Sequence, residues 1–398
     1  MGPKAMKPSK KMAEPFPHIM IAAGEASGDQ LGGELMQALK KAAPQVRITG
    51  LGGEAMTAQG LETLFPMRDI AVMGLAEILP RLPLLLRRIQ EMADYVLAQS
   101  PDVLVLIDSP EFAHRVARKV KKQRPEIKIV IYVAPTVWAW RQGRAKKMRQ
   151  FADHILAVLP FEPRVYQALD GPDCHYVGHS VVQRMGSKKQ GAAFKKKFGV
   201  TRQEKIIAIL PGSRVSEIKR LLPIYRQVFS QIADQLPNCR FMLPAVPHLR
   251  AAIETETAGW PIKIELIEGE ADKLGLFHAA QAALIASGTV SLELAMVGLP
   301  MIVAYKMDPV MEYVVPRMSK IPSVVLPNLI LDEPLVPEFI LHRCRAELIA
   351  PAFLALINNQ SGLRDFQLAG LKRAQEIMQP PEGSPSQSAA RRILDIIA

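Results

Sequence analysis

Short, almost wholly apolar runs alternate with longer amphipathic stretches along most of the chain. Ile19–Ala23, Arg47–Leu51, Val103–Ile107, Lys128–Val133 and Ile155–Leu159 predict strands in the first half. Lys205–Leu210, Arg240–Leu243, Lys263–Ile267, Ala282–Ile285 and Met301–Ala304 predict strands in the second. Several of these runs are apolar at every position, which suits parallel strands covered on both faces. Helical patterns fall between them, so the order is βαβα repeated, the signature of doubly wound α/β sheets. The rhythm breaks once, at Ser187–Gly199, where Lys188, Lys189, Lys195, Lys196 and Lys197 cluster before a fresh strand at Lys205. That break predicts two Rossmann-like domains, residues 18–187 and 188–362, with a cleft between them. From about Ala346 the pattern is helical, interrupted at Pro380–Ser386, and residues 363–398 are expected to pack back on the N-terminal domain. No solenoid repeat is visible.

A length of 398 residues fits two cores of about 180 residues each. No run approaches the roughly 18 apolar residues that a spanning helix needs. Residues 1–17, with Lys4, Lys7, Lys10 and Lys11, read as a disordered basic tail. A signal peptide is disfavoured, because the apolar core His18–Ala23 is short and runs at once into Glu25 and Asp29. Cys174, Cys239 and Cys344 lie far apart with no CxxC pair, which suits a reducing compartment, argues against structural zinc and favours the cytoplasm. The net charge of +12 fits nucleic acid, anionic lipid or a phosphorylated substrate as partner, or solubility alone.

Candidate chemistry sits where predicted strands end. Gly24-Glu25-Ala26-Ser27-Gly28-Asp29 follows the first strand and opens a helix, so its backbone N–H groups face an anionic or hydroxylated ligand. The same turn with Ser27 or Asp29 as a helix cap is the plain alternative. It is not GxGxxG, which disfavours a dinucleotide. Asp108, in Ile107-Asp108-Ser109-Pro110-Glu111-Phe112, ends a buried strand and is a candidate general base, or else the cap of the helix after Pro110. In the second half, Gly212 and Ser213 supply close donors and Arg214 a guanidinium suited to phosphate oxygens. Ser287, Gly288 and Thr289 form a small hydroxyl-rich turn suited to a diphosphate, and Glu293, one turn on, is placed to accept ribose hydroxyls. Either turn alone is a weak signal, and two in one domain are stronger.

Two further stretches carry less specific signals. Trp138 and Trp140 lie beside Arg141, Arg144, Lys146, Lys147 and Arg149, an arrangement that stacks bases or sugar faces, or simply packs. Val72–Ile89 holds Leu82, Leu84, Leu85 and Leu86 with Arg87 and Arg88, and Pro80 and Pro83 are expected to break its helix early. It reads either as a monotopic lipid-facing patch or as a buried helix.

Taken together, these strings closely resemble the lipid A disaccharide synthase family. The resemblance rests on GEASGD (Gly24–Asp29), AVMG (Ala71–Gly74), IDSPEF (Ile107–Phe112), PTVWAWRQGR (Pro135–Arg144) and LPFE (Leu159–Glu162). VGH (Val177–His179), LPGSR (Leu210–Arg214), SGT..LE (Ser287–Glu293) and LPNL (Leu326–Leu329) continue it in family order. Ser109 and Glu111 stand where Ala and Asp are common, a departure that leaves Asp108 intact.

The resemblance implies a GT-B fold and a metal-independent, cofactor-free inverting transfer. The donor would be UDP-2,3-diacylglucosamine and the acceptor 2,3-diacylglucosamine 1-phosphate, lipid X. Asp108 would be the base, while Gly212, Ser213, Arg214, Ser287, Gly288, Thr289, Glu293 and Asn328 would hold the donor. Glu25, Ser27, Gly28, Asp29, Trp138, Arg141 and Arg144 would line the acceptor side of the cleft. The substrates place the enzyme peripherally on the inner face of the cell membrane, as a homodimer or a monomer and without nucleic acid. A UDP-sugar epimerase of the same fold is the rival within enzymes. A basic nucleic-acid-binding protein is the rival outside them, and no RNP, KH or helix-turn-helix signature supports it.

Overall fold

A computed structural model describes residues 16–70, 75–308, 311–313 and 321–398. Residues 1–15 of the basic tail expected over 1–17, and the Ala71–Gly74 string, lie outside the described residues.

The first half runs β1 (His18–Ala23), α1 (Ala26–Ala42), β2 (Arg47–Leu51), α2 (Glu54–Ala58) and α3 (Leu75–Gln99). It continues with β3 (Val103–Ile107), α4 (Pro110–Gln123), β4 (Lys128–Tyr132), α5 (Gly143–Met148) and β5 (His154–Ala157). Then come α6 (Glu162–Ala168), β6 (Asp173–Tyr176) and α7 (Val181–Arg184). The second half has α8 (Lys188–Lys197), β7 (Lys205–Leu210), α9 (Val215–Ile232), β8 (Cys239–Pro244), α10 (Arg250–Thr257) and β9 (Ile264–Ile267). After these follow α11 (Glu270–Ala279), β10 (Ala282–Ile285), α12 (Val290–Val297), β11 (Met301–Tyr305), α13 (Leu326–Leu331) and β12 (Glu338–Ile340). The chain closes with α14 (Ala346–Asn358), α15 (Leu363–Ile377) and α16 (Pro385–Ile397).

Each half builds one six-stranded sheet, in the orders β2-β1-β3-β4-β5-β6 and β12-β11-β10-β7-β8-β9. The pairings are parallel, as fully apolar strands require. Alternate residues of one strand feed opposite faces. Met20 and Ala22 enter one cluster with Leu104, Val116 and Met92, while Ile19 and Ile21 enter another with Val105, Leu35 and Leu39. Ile207 and Ile209 face α9 and α14 in the second sheet, and Ile206 and Ala208 face α11.

The sequence-based strands match ten of these twelve. The two missed, β6 and β12, are edge strands, short and only partly buried, so no apolar run marks them. Val133 was expected inside β4 but leaves it with φ +74°, a conformation that β-branched residues avoid. The early break expected in α3 does not occur, since the helix runs through Pro80 and Pro83. Its later face, Ile89, Met92, Ala93 and Val96, is fully buried, and that packing offsets the lost backbone bonds.

A further cluster joins the halves: Leu159, Val181 and Met185 meet Leu292 and Ile330, together with Ala374 and Met378 of the C-terminal segment. That segment divides its contacts. α15 stays on the second half, where the Gln367 amide brackets Met301, accepting from its N–H at 2.9 Å and donating to its carbonyl at 3.0 Å. The chain crosses back where Tyr176 Oη donates to the Met378 carbonyl at 2.7 Å, and α16 buries Ala389, Ala390 and Ile393 in the first-half core beside α1.

Candidate active site

The strand orders fix where ligands bind. In the first sheet β1 leads outward to β2 while β3 lies on its other side, so the order reverses between β1 and β3. In the second it reverses between β7 and β10. Crevices open outside the carboxyl ends of strands at such switch points. Gly24–Asp29 and Asp108–Glu111 follow β1 and β3, while Gly212–Arg214 and Ser287–Glu293 follow β7 and β10. Each motif pair predicted from sequence therefore meets at a switch point. The interdomain cluster is built from segments beyond strand ends of both sheets, so it lies on the same side of each.

At the first switch point the two loops touch. A Cβ on Gly24 would sit 2.2 Å from Ser109 Oγ, so only glycine lets them close. Ser109 Oγ lies 3.5 Å from Glu25 Oε1, and Ser109 N–H donates to Asp108 Oδ1 at 2.9 Å. Asp108 and Ser109 have φ +53° and +47°, consecutive left-handed conformations that cost about 1–3 kcal/mol each. Val133 and Arg141, beyond the neighbouring strand end, are also left-handed. The strain turns the chain sharply into Pro110, the first residue of α4, and leaves Asp108 half-buried at the strand end. Burial first, then the charge of Asp108, pushes the Glu25 carboxyl above its ordinary range, against the Ser109 hydrogen bond. Ser27 is exposed, while Gly28 packs close to the Ile107 carbonyl.

Asp29 is buried, and its carboxylate accepts N–H bonds from Gly53 (2.7 Å), Ala55 (2.8 Å) and Met56 (3.1 Å), fastening α2 to α1.

The tryptophans divide. Trp138 Nε1 donates to Glu162 Oε1 at 3.1 Å and its ring meets Phe161 edge-on, at the border of the interdomain cluster. Glu162 is 1% exposed and also accepts from the Leu159 N–H at 3.0 Å, and burial raises its pKa to about 7. Its structural role was not singled out from sequence, although LPFE carries it. Trp140 is 40% exposed, with the Arg141 guanidinium 4.3 Å from its ring centre. Arg144 lies 6.0 Å from the same ring and bonds Glu111 at 3.2 Å.

At the second switch point the predicted donors already have partners. Gly212 has φ +112°, and a Cβ there would strike Glu217. Glu217 Oε2 accepts from the N–H groups of Ser213 (3.0 Å) and Arg214 (3.3 Å), and Oε1 lies 3.4 Å from Arg214 Nη1. A carboxylate thus sits on the donors expected to meet phosphate, while most of the Arg214 side chain stays in solvent. Ser287 Oγ donates to the Val324 carbonyl at 3.1 Å. Gly288 (φ +145°) and Thr289 are exposed, with open space where a Gly288 Cβ would stand. Glu293 pairs with Lys273.

Asn328 is 3% exposed, and its amide donates to the Val336 carbonyl and to Glu338 while accepting the Val336 N–H, so it pins its own loop.

The lipid-facing patch also splits. Leu86 is 51% exposed and Arg87 is exposed, whereas Leu82, Leu84 and Leu85 are half-buried and Leu85 packs on the core. Arg88 bonds Asp69 and Glu91 at 2.6 Å each and covers the Phe65 ring, on the helix face that carries Leu85, Ile89 and Met92.

Among the described residues, His154, Asp173 and His175 alone have metal-ligand spacing. They lie at the opposite ends of β5 and β6 from the switch points, and Arg392 of α16 already meets His175 Nε2 at 2.7 Å.

Known proteins agree with this layout. Residues 19–393 match the Lipid-A-disaccharide synthetase family. The Lipid-A-disaccharide synthase of Rhodopseudomonas palustris (strain HaA2) is 41% identical over 380 residues, 95% of this chain and 96% of that protein. That of Bradyrhizobium diazoefficiens is 41% identical over 382 residues, 96% and 97% of the two chains. Among solved structures, UDP-GlcNAc 2-epimerase from Neisseria meningitidis bound to UDP-GlcNAc has TM-score 0.56 and 12% identity, covering 96% of this chain and 99% of its own. Acinetobacter baumannii MurG has TM-score 0.55 and 14% identity over 96% and 99%. The structural likenesses carry the fold alone, and the epimerase rival shares that fold at low identity, whereas the sequence matches span nearly the whole chain. The chain therefore belongs to the lipid-A-disaccharide synthase family, hexosyltransferases of lipid A biosynthesis, on a GT-B fold.

Proposed function

We propose that the chain condenses UDP-2,3-diacylglucosamine with 2,3-diacylglucosamine 1-phosphate to give the β-1,6-linked disaccharide 1-phosphate and UDP. The observation that carries this reading is the meeting of each motif pair at a switch point, acid-bearing in one domain and furnished with N–H, hydroxyl and guanidinium groups in the other. Asp108 takes the proton of the acceptor 6-hydroxyl as that oxygen bonds the anomeric carbon. The bond from that carbon to the UDP oxygen breaks, and its electron pair leaves with UDP. One base suffices because the leaving group is already anionic and fixed donors stabilise it. Arg214 and the Ser287–Thr289 turn offset its charge without a metal, while Trp140, Arg141 and Arg144 border the acceptor side. Leu86 and Arg87 dip toward the lipid that carries both substrates, so the enzyme works peripherally on the inner face of the membrane.

The test is UDP release from the diacylated donor in detergent, with and without lipid X, and with EDTA. Release that requires lipid X and survives EDTA is expected. Conversion of water-soluble UDP-GlcNAc alone would replace this reading with an epimerase, and loss of activity in EDTA would remove its metal-independent step.

A further inference from the structure

The donor-side crevice holds a positive charge for which the mechanism above has no use. Lys273 lies in α11, the helix that returns from β9 to β10 and packs against α12. Its Nζ is 2.9 Å from Glu293 Oε2 and 3.3 Å from Glu270 Oε1, and it lies 5.5 Å from the centre of the Phe277 ring. The Lys273 and Glu293 side chains are each only 24% exposed, and Glu293 Oε2 is sealed from solvent against this ammonium. Burial alone would favour a neutral amine, but Glu293 and Glu270 outweigh it and Lys273 is held charged.

A carboxylate offers about four lone-pair positions. An ammonium seated on Oε2 fixes the carboxylate plane and leaves Oε1 for hydroxyl donors. A glutamate without that partner turns freely and loses part of any paired recognition to rotamer entropy.

We propose that Lys273 is a positioning residue that locks the Glu293 carboxylate to read the paired hydroxyls of a ribose, so that preference for a ribonucleotide over a deoxyribonucleotide depends on Lys273. This rests on the reading of Glu293 as the ribose acceptor, and the test separates the two. UDP and 2′-deoxy-UDP are titrated calorimetrically into the wild-type protein and into Lys273→Met, Lys273→Arg and Glu293→Gln. The wild type binds UDP at least about tenfold more tightly than the deoxy analogue, the scale of one charged hydrogen bond. Lys273→Met weakens UDP by about tenfold and the deoxy analogue by no more than about twofold, collapsing the ratio, and Lys273→Arg restores most of it. A change that merely loosened the domain would weaken both ligands alike. If the wild type does not discriminate, the ribose role of Glu293 fails and Lys273 fails with it. If it discriminates, Glu293→Gln abolishes the preference and Lys273→Met retains it, Lys273 alone is overturned. Should Lys273→Met not fold, Lys273→Gln takes its place and is held to the same ratio.

Discussion

The two switch points solve opposite problems with charge. At β1/β3, Asp108 and Ser109 lie on strained backbone, and Glu25 stands near Asp108 with Ser109 between them. At β7/β10, each charged group has a partner of opposite sign or of hydrogen-bonding use: Glu217 caps the Ser213–Arg214 donors and Lys273 holds Glu293. Burial, and then the charge of Asp108, raises the Glu25 carboxyl at the first switch point above its ordinary range. Partners already in place hold the side chains of the second switch point in fixed positions, which is what a preorganised cradle requires. On the proposed mechanism one half reacts and the other holds the donor.

The widest gap between them is expected for Asp108→Asn. It keeps the size of the side chain and removes the base, so kcat should fall at least about 10²-fold with the melting temperature unchanged. Activity within a few-fold of wild type would leave Asp108 as a turn residue and erase the contrast.

Between the halves, Glu162 ties the pH response to the seam. Its folded pKa of about 7 exceeds the ordinary 4.5, so the folded protein takes up that proton first. Its stabilising contribution is complete below about pH 4.5 and is lost as pH rises through about 7, on the order of 3 kcal/mol in all. Glu162→Gln should flatten stability across that window while costing about 1 kcal/mol at its acid end, because the amide has one acceptor oxygen for two donors, the Trp138 Nε1–H and the Leu159 N–H. Chemical denaturation at several pH values measures both, and a slope retained by the variant would assign the titration elsewhere.

Arg214→Ala probes the holding half. UDP affinity should fall by about 1.5–3 kcal/mol, the loss of a charged hydrogen bond, with acceptor binding less affected. Calorimetry with UDP decides it. Unchanged affinity would mean that Arg214, already near Glu217, serves the turn and not the phosphate.

How much of this was legible in the sequence depends on the range of the interactions. Strands were readable because runs such as Ile206-Ile207-Ala208-Ile209 are buried on both faces, and the site loops because Gly24, Gly212 and Gly288 mark turns directly after them. Edge strand β6, with its polar, partly exposed Asp173–Tyr176, had no such signature. What spacing could not reveal was which polar side chains were already engaged. Asp29 answers N–H groups 24 to 27 residues away, Arg88 an aspartate 19 away and Asn328 a valine 8 away. Those pairings arise from helix packing and loop return, so they exist only once the chain has folded.

The smallest expected effect on the fold tests whether the reacting half also meets lipid. Leu86 is exposed on α3 and Leu85, one residue earlier, packs on the core, so a single helical step of about 100° separates two physical roles. Leu86→Ser removes apolar surface that contributes little to folding, and the melting temperature should shift within the range of ordinary surface substitutions, about 0.5 kcal/mol. Binding to anionic vesicles should nonetheless fall severalfold, because partitioning scales with the apolar area buried in lipid. Leu85→Ser should do the reverse, lowering stability by about 2 kcal/mol or more, as large-to-small core changes do, with vesicle binding of the folded fraction retained. Thermal unfolding beside vesicle co-sedimentation separates the two roles. If Leu86→Ser binds vesicles like the wild type, α3 is only a wall of the first core, and lipid contact must come from another face.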